Sequence, residues 1–237
     1  MKRKMFSRHW RTAFLSIFSG LLLVFAIMTP PAIADRSLSM EELVMDVQVL
    51  PDASLQVNER ITVDFSGQWN GFFIKIPLGD TPIIDVIVSE NGQPYEFNPG
   101  TEYGPAGTYL TKNEGGDILI DWSINAYNQV RTFDVSYRVI NGVKIHNDVA
   151  ELYRQFVGKA NGNKIAYVEV NMMLPPGAEG YKQGEDIRIW GHGPLNGEVD
   201  FAGPDQIIWT TSNLPPYTFL EGRVVMPVDL FTGVPAE

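Results

Sequence analysis

Apolar and polar residues alternate one by one along much of this chain. Val44-Met45-Asp46-Val47-Gln48-Val49 alternates, Pro51-Asp52 breaks the run, and apolar residues return at 55, 57, 61, 63 and 65. A period of two sends one row of side chains into a core and the other into water, which predicts two antiparallel strands, each with one wet face. The same pattern predicts strands over 72–76, 83–88, 118–122, 132–140, 165–173, 187–190, 206–211 and 219–226. Asn91-Gly92, Pro99-Gly100, Gly115-Gly116, Asn141-Gly142, Pro176-Gly177 and Asn196-Gly197 fall between them. Such pairs are turn residues, because they tolerate positive φ or fix it. Many short strands with this punctuation predict an all-β chain, an immunoglobulin-like antiparallel β-sandwich. A weak echo predicts two packed units, 35–141 and 142–237. DILIDW (117–122) precedes TFDVSYRV (132–139), much as DQIIW (205–209) precedes TFLEGRV (218–224).

One stretch breaks the period. In HNDVAELYRQFVG, 146–158, Val149, Leu152, Tyr153 and Phe156 fall at i, i+3, i+4 and i+7 and draw one apolar stripe. That spacing predicts a short α-helix over 148–158 opening the second unit. Asp148 fits its N-cap, Glu151 completes an Asp form of the capping box, and Gly158 stands at C′. The same reading accounts for the two carboxylates beside His146 without a metal, since chelation would take them out of their capping geometry.

The first residues follow another rule. Lys2, Arg3, Lys4, Arg8 and Arg11 precede an uncharged, mostly apolar run, 13–28, and Ala32-Ile33-Ala34 precedes Asp35. This is the order of a secretory signal with an A-x-A cleavage site, so 1–34 is expected to be a signal peptide. The 16-residue run is shorter than the roughly 20 residues of a lasting membrane span. The signal holds five of the 18 Lys and Arg and none of the 28 Asp and Glu. The rest therefore carries 13 basic against 28 acidic side chains, a net charge of −15. Such a surface repels phosphate backbones, so nucleic acid is not an expected partner. Cysteine is absent, which removes disulfides, thiol nucleophiles and thiolate metal sites.

Little in the chain points to a reaction. Outside the signal there are two histidines, His146 and His192; no H-E-x-x-H, G-x-S-x-G or calcium-loop motif occurs, and no metal or cofactor is expected. Acidic residues of a glycosidase need only meet in space, so Asp64, Asp117, Asp121 and His192 stand as a candidate hydrolytic set for a groove between the units. Binding has the better lead. Trp69, Phe72 and Phe73 crowd around two glycines, and His192 sits between two more in a tight loop. Trp69, Phe72, Phe73 and His192 are therefore the candidate ligand-binding residues.

Several pieces in order carry a family likeness: VMDVQVLPDASLQVNERITVDFSGQWNGFFIKIP (44–77), ILIDWSI (118–124) with TFDVSYRV (132–139), HNDVAELYRQFVG (146–158), WGHGPLNG (190–197) and LPPYTFLEGRVVMP (214–227). The chain resembles the extracytoplasmic N-terminal part of the YciQ-like predicted membrane proteins, domain of unknown function 2207. That resemblance implies an all-β domain outside the membrane, with no established activity and no catalytic residues to carry over. Relatives continue into transmembrane helices, so membrane attachment would run through an uncleaved signal or a further C-terminal part. The expected role is a non-enzymatic binding or interaction domain at the cell envelope, with a protein or glycan partner; the alternative is a hydrolase of envelope polysaccharide or peptide.

Overall fold

The alternation around 44–65 builds the centre of the protein. A computed structural model describes residues 36–100 and 104–234; the expected signal at 1–34 lies outside them. Strand β1 (Ser37–Val49) pairs antiparallel with β2 (Leu55–Pro77), and a bulge between Met40 and Glu42 resets which residues face inward. Met40, Leu43, Met45, Val47 and Val49 then share one buried row with Leu55, Val57, Ile61, Val63 and Phe65.

Two strands run far longer than their pattern predicts. β2 continues past Ser66-Gly67, and β7 (Asp117–Val139) unites the strands expected at 118–122 and 132–140. The two pair along nearly their whole length, with bulges between Phe65 and Gln68 and between Trp69 and Gly71. Gly67 takes φ of 76°, and its N–H donates to the Asn128 side chain opposite, itself at φ of 48°. A bulge of this kind bends a strand without ending it. The polar, glycine-containing segment is thus a corner.

Around this pair lie β3 (Ile83–Glu90), β4 (Gln93–Pro94), β5 (Glu96–Phe97) and β6 (Thr108–Glu114). β3 lines the later half of β7 and β6 the earlier half. The remaining strands are β8 (Lys144–Ile145), β9 (Ala150–Val157), β10 (Ile165–Met173), β11 (Arg188–His192), β12 (Glu198–Phe201), β13 (Gln206–Leu214) and β14 (Leu220–Met226). β10 runs parallel to β1 and carries β13 and then β12, completing a ten-stranded sheet. β11, β14, β9 and β8, in that order, form a second sheet. The boundary expected at 141/142 therefore falls inside one fold, because strands from both sides of it share hydrogen bonds in one sheet and the described residues cluster as a single unit. The all-β class is as expected.

The expected helix over 148–158 is a correction: this stretch is β9 and the hairpin that leads into it. His146 N–H donates to the Val149 carbonyl, closing that hairpin. Ala150, Leu152 and Phe156 point inward, Tyr153 is exposed, and Arg154 takes the inward position between Leu152 and Phe156. A charged residue in the core row hid the period of two. Asp148, Glu151 and Gly158 consequently cap nothing. Glu151 pairs with Arg223 across the sheet, and Gly158 lets the chain pass Pro77, where a Cβ would stand 2.6 Å from the ring.

The sheets meet at aromatic side chains. Trp209 of β13 is fully buried, packs on Phe156 at 5.2 Å between ring centroids, and lies over Gly191 and Gly222 of the second sheet. Its indole N–H donates to the Trp190 carbonyl at 3.2 Å. Near the corner, Phe65, Phe72, Trp122 and Phe133 form a second cluster with edge-to-face contacts of 5.2–6.0 Å among them.

Candidate functional site

The apolar row of β2 has one exception. Glu59 lies between Val57 and Ile61, faces inward, and is 4% exposed. An isolated carboxylate at such a position is costly unless something stabilises its charge. Tyr137 of β7 donates its hydroxyl to Glu59 Oε1 at 2.6 Å, and the positive charge of Arg154 comes from the facing sheet. Burial nevertheless outweighs both and pushes the Glu59 carboxyl up to about 7. The same burial, with the Glu59 charge beside it, raises the Tyr137 hydroxyl well above its usual value. Arg154 Nη2 is buried and makes no hydrogen bond.

Glu59 also forms part of the wall of a cavity of about 450 Å3 between the sheets. Its floor and sides are apolar: Leu38, Met40, Leu43 and Met45 from β1, Ile61 and Phe72 from β2, Phe156 from β9 and Ile165 from β10. The mouth carries Trp69, Phe73, Lys75, Asn161, Asn163 and Tyr217. Phe73 and Tyr217 are 54% and 71% exposed. The 158–164 loop is held open by its own bonds: Asn161 Nδ2 donates to the Asn163 carbonyl, and Tyr217 N–H donates to the Asn161 carbonyl at 2.7 Å. Tyr217 sits at φ of 59°, a left-handed conformation that costs a tyrosine about 1 kcal/mol or more and concentrates at binding sites. Arg36 stacks over Trp69 at 4.3 Å from the ring centre. Within the usual range of about 300–1,000 Å3, such a space takes a small organic molecule, with polar groups few enough to set its orientation.

Three of the four expected binding residues converge here. Trp69 and Phe73 stand at the mouth, and Phe72 closes the wall while packing into the aromatic core. His192 does not join them. It lies on the second sheet, with Nδ1 3.7 Å from Glu221, and the glycines on either side have packing reasons: Gly191 lies under Trp209, and a Cβ on Gly193 would stand 2.7 Å from the Phe219 carbonyl oxygen. His192 shares an outward face with Tyr153, which donates to Glu221, and with Arg223, which pairs with Glu151 and stacks on Trp190. Among the described residues no group of three or more His, Asp or Glu side chains is placed to hold a metal ion.

The candidate hydrolytic set is scattered. Asp117 and Asp121 lie four residues apart on β7, about 14 Å along the strand. Asp64 pairs with Val130 further along the same ladder, and His192 belongs to the other sheet. None of the four lines the inter-sheet cavity. Glu59, which does, was missed by motif reasoning. Its signal is nonetheless in the alternation, as a charged residue at an inward position of an apolar row.

Burial of Glu59 has a measurable consequence. In an unfolded chain its carboxyl titrates near 4.5, whereas the folded protein holds the proton to about 7. Between those values the native state binds more protons than the unfolded state, so stability falls as pH rises through this window, by about 3 kcal/mol in all. Asp52 and Glu90 are shifted down by hydrogen bonds and arginine charge, so their contributions are lost only at more acidic pH. Urea unfolding at pH 5 and pH 8 should show the loss, and Glu59→Gln should remove it. An equal slope in the variant would mean that another group titrates.

A family model described as "Predicted membrane protein (DUF2207) N-terminal domain" matches residues 39–226. No curated protein matches the chain by sequence. By fold it is similar to a Legionella pneumophila protein named as nutrient binding, with 10% identity and a TM-score of 0.52 over 83% of this chain and 67% of that one. An M1 zinc metallopeptidase from Deinococcus radiodurans has a TM-score of 0.40 and 10% identity, covering 81% of this chain and 43% of its own. Yeast LTA4 hydrolase in complex with bestatin has a TM-score of 0.47 and 6% identity, covering 78% and 28%. This chain thus spans about two thirds of the first protein and under half of the other two. At these identities the likeness concerns the fold alone.

Proposed function

The chain belongs to the DUF2207 family of predicted membrane protein N-terminal domains, and on that premise we propose that it is a non-enzymatic binding domain, acting outside the cytoplasm at the cell envelope, that takes a small and largely apolar molecule between its two sheets. One observation carries this reading: the cavity of about 450 Å3 whose floor is apolar and whose mouth is ringed by exposed aromatic side chains. A well-packed core has few voids larger than a water molecule, and a large one gives up dispersion contacts along its lining. A bound apolar molecule restores them. The separation of Asp64, Asp117, Asp121 and His192 favours binding over the hydrolytic alternative. Export rests on the signal-like first 34 residues.

Titration with the neutral fluorophore N-phenylnaphthylamine tests the reading. One saturable site per chain is expected. Leu43→Trp, which grows from the β1 wall into the empty space, should weaken binding at least about tenfold, a change of about 1.4 kcal/mol, while leaving stability equal or higher, since it fills a void. Ala160→Trp, on the exposed loop at the mouth, serves as a second variant if the first repacks the core. Binding that neither variant alters would place the probe elsewhere and refute the proposal.

A further inference from the structure

The cavity has a polar feature that an apolar ligand alone would not use. We infer that it is selective for an organic cation, an apolar amine whose ammonium head meets the Glu59 carboxylate while its body lies along the wall of Met40, Leu43 and Ile61. This rests on the reading that the cavity binds a ligand at all.

Three observations point to a cation. Glu59 is the ionisable residue on the buried wall, and Tyr137 engages its Oε1. The other cation at the cavity, Lys75, is neutralised by Glu114, with Nζ 2.7 Å from Oε2. Arg154 offsets part of the Glu59 charge from the side but does not line the cavity. The mouth adds the faces of Trp69, Phe73 and Tyr217, and aromatic faces attract cations. Trp69 already holds the Arg36 guanidinium in this way. Finally, the chain beyond residue 34 carries 28 acidic against 13 basic side chains, which raises the local concentration of cations and repels anions.

The groups that face Glu59 are Tyr137 from β7 and Arg154 from β9, with Lys75 further along β2. Burial keeps the Tyr137 phenol protonated, and a guanidinium does not titrate near neutrality. Glu59 is therefore the group in this set that changes charge between pH 5.5 and pH 8, since its carboxyl is pushed up to about 7.

Displacement of N-phenylnaphthylamine by octylamine, octanol and octanoate, each below its critical micelle concentration, provides the test. At pH 8 octylamine should displace the probe about tenfold more effectively than octanol, as expected for a hydrogen bond to a charged group in a dry site, with octanoate weakest. At pH 5.5 the preference for the amine should shrink to less than about threefold. Within Glu59→Gln, octylamine should displace the probe no better than octanol at pH 8. The ranking and its pH dependence are read on the wild-type protein, so they hold as a test even if the variant does not fold. Equal displacement by all three ligands, or a preference for octanoate, would overturn the head-group assignment and leave the cavity reading intact. Failure of the probe to bind would overturn both.

Discussion

Arg154→Leu is expected to destabilise the protein by about 1 kcal/mol at pH 8, because Glu59, titrating near 7, takes up a proton rather than stay charged beside the lost arginine. The substitution leaves only the Tyr137 hydroxyl to stabilise the Glu59 charge, which moves its carboxyl further up. Two further results distinguish this cause from lost packing. At pH 5 the carboxyl is protonated, so the same substitution should cost much less. Adding Glu59→Leu to Arg154→Leu should restore most of the loss at pH 8, because it removes the carboxyl whose charge Arg154 offsets. Urea unfolding of the two single variants and the double variant gives the coupling directly. Additive losses would show that the two residues do not act as a pair.

Trp209→Ala should cost about 3–5 kcal/mol as well, for another reason. The ring is the plug between the sheets, seated over Gly191 and Gly222 against Phe156. Gly191 and Gly222 beneath it offer no side chain to fill the space it leaves. Thermal unfolding should drop by about 10 °C for a chain of this size. Trp122 supplies the control. It is equally buried, yet among the described residues its indole Nε1 has no hydrogen-bond partner, whereas that of Trp209 donates to the Trp190 carbonyl. Trp209→Phe should therefore be worse tolerated than Trp122→Phe, since only the former loses a hydrogen bond. The reverse order would place the essential contact at the corner cluster.

What could be read in the sequence follows from how local each determinant is. The runs at 44–49, 55–65 and 165–173 alternate apart from Glu59 and the ends of the last, and β1, β2 and β10 cover all three. The helix at 148–158 fails where a core row contains Arg154. An arginine facing inward makes Leu152, Tyr153 and Phe156 look like a helical stripe, although Tyr153 faces water. The corner at Gly67 and Asn128 reads as turn chemistry because a bulge needs the same positive φ. The parallel pairing of β1 with β10 joins residues more than 120 positions apart, and no local pattern encodes it. That pairing joins the two expected units into one.

The candidate site divides in the same way. Trp69, Phe72 and Phe73 lie close together in sequence, so their shared location could be read from it. Tyr217 and Asn161 reach the mouth from separate loops, which only the fold brings together. Glu59 and Arg154 are each anomalous in their own strand. Each makes sense only opposite the other.

The most direct test of the inter-sheet cavity is methyl NMR of the Met, Leu and Ile side chains during titration with N-phenylnaphthylamine. The predicted result is saturable shifts at Met40, Leu43, Met45 and Ile61, which line the cavity. Met226 and Ile187, buried away from it, should stay in place. Shifts confined to exposed side chains such as Ile84 and Ile87, with the lining methyls unmoved, would contradict the account.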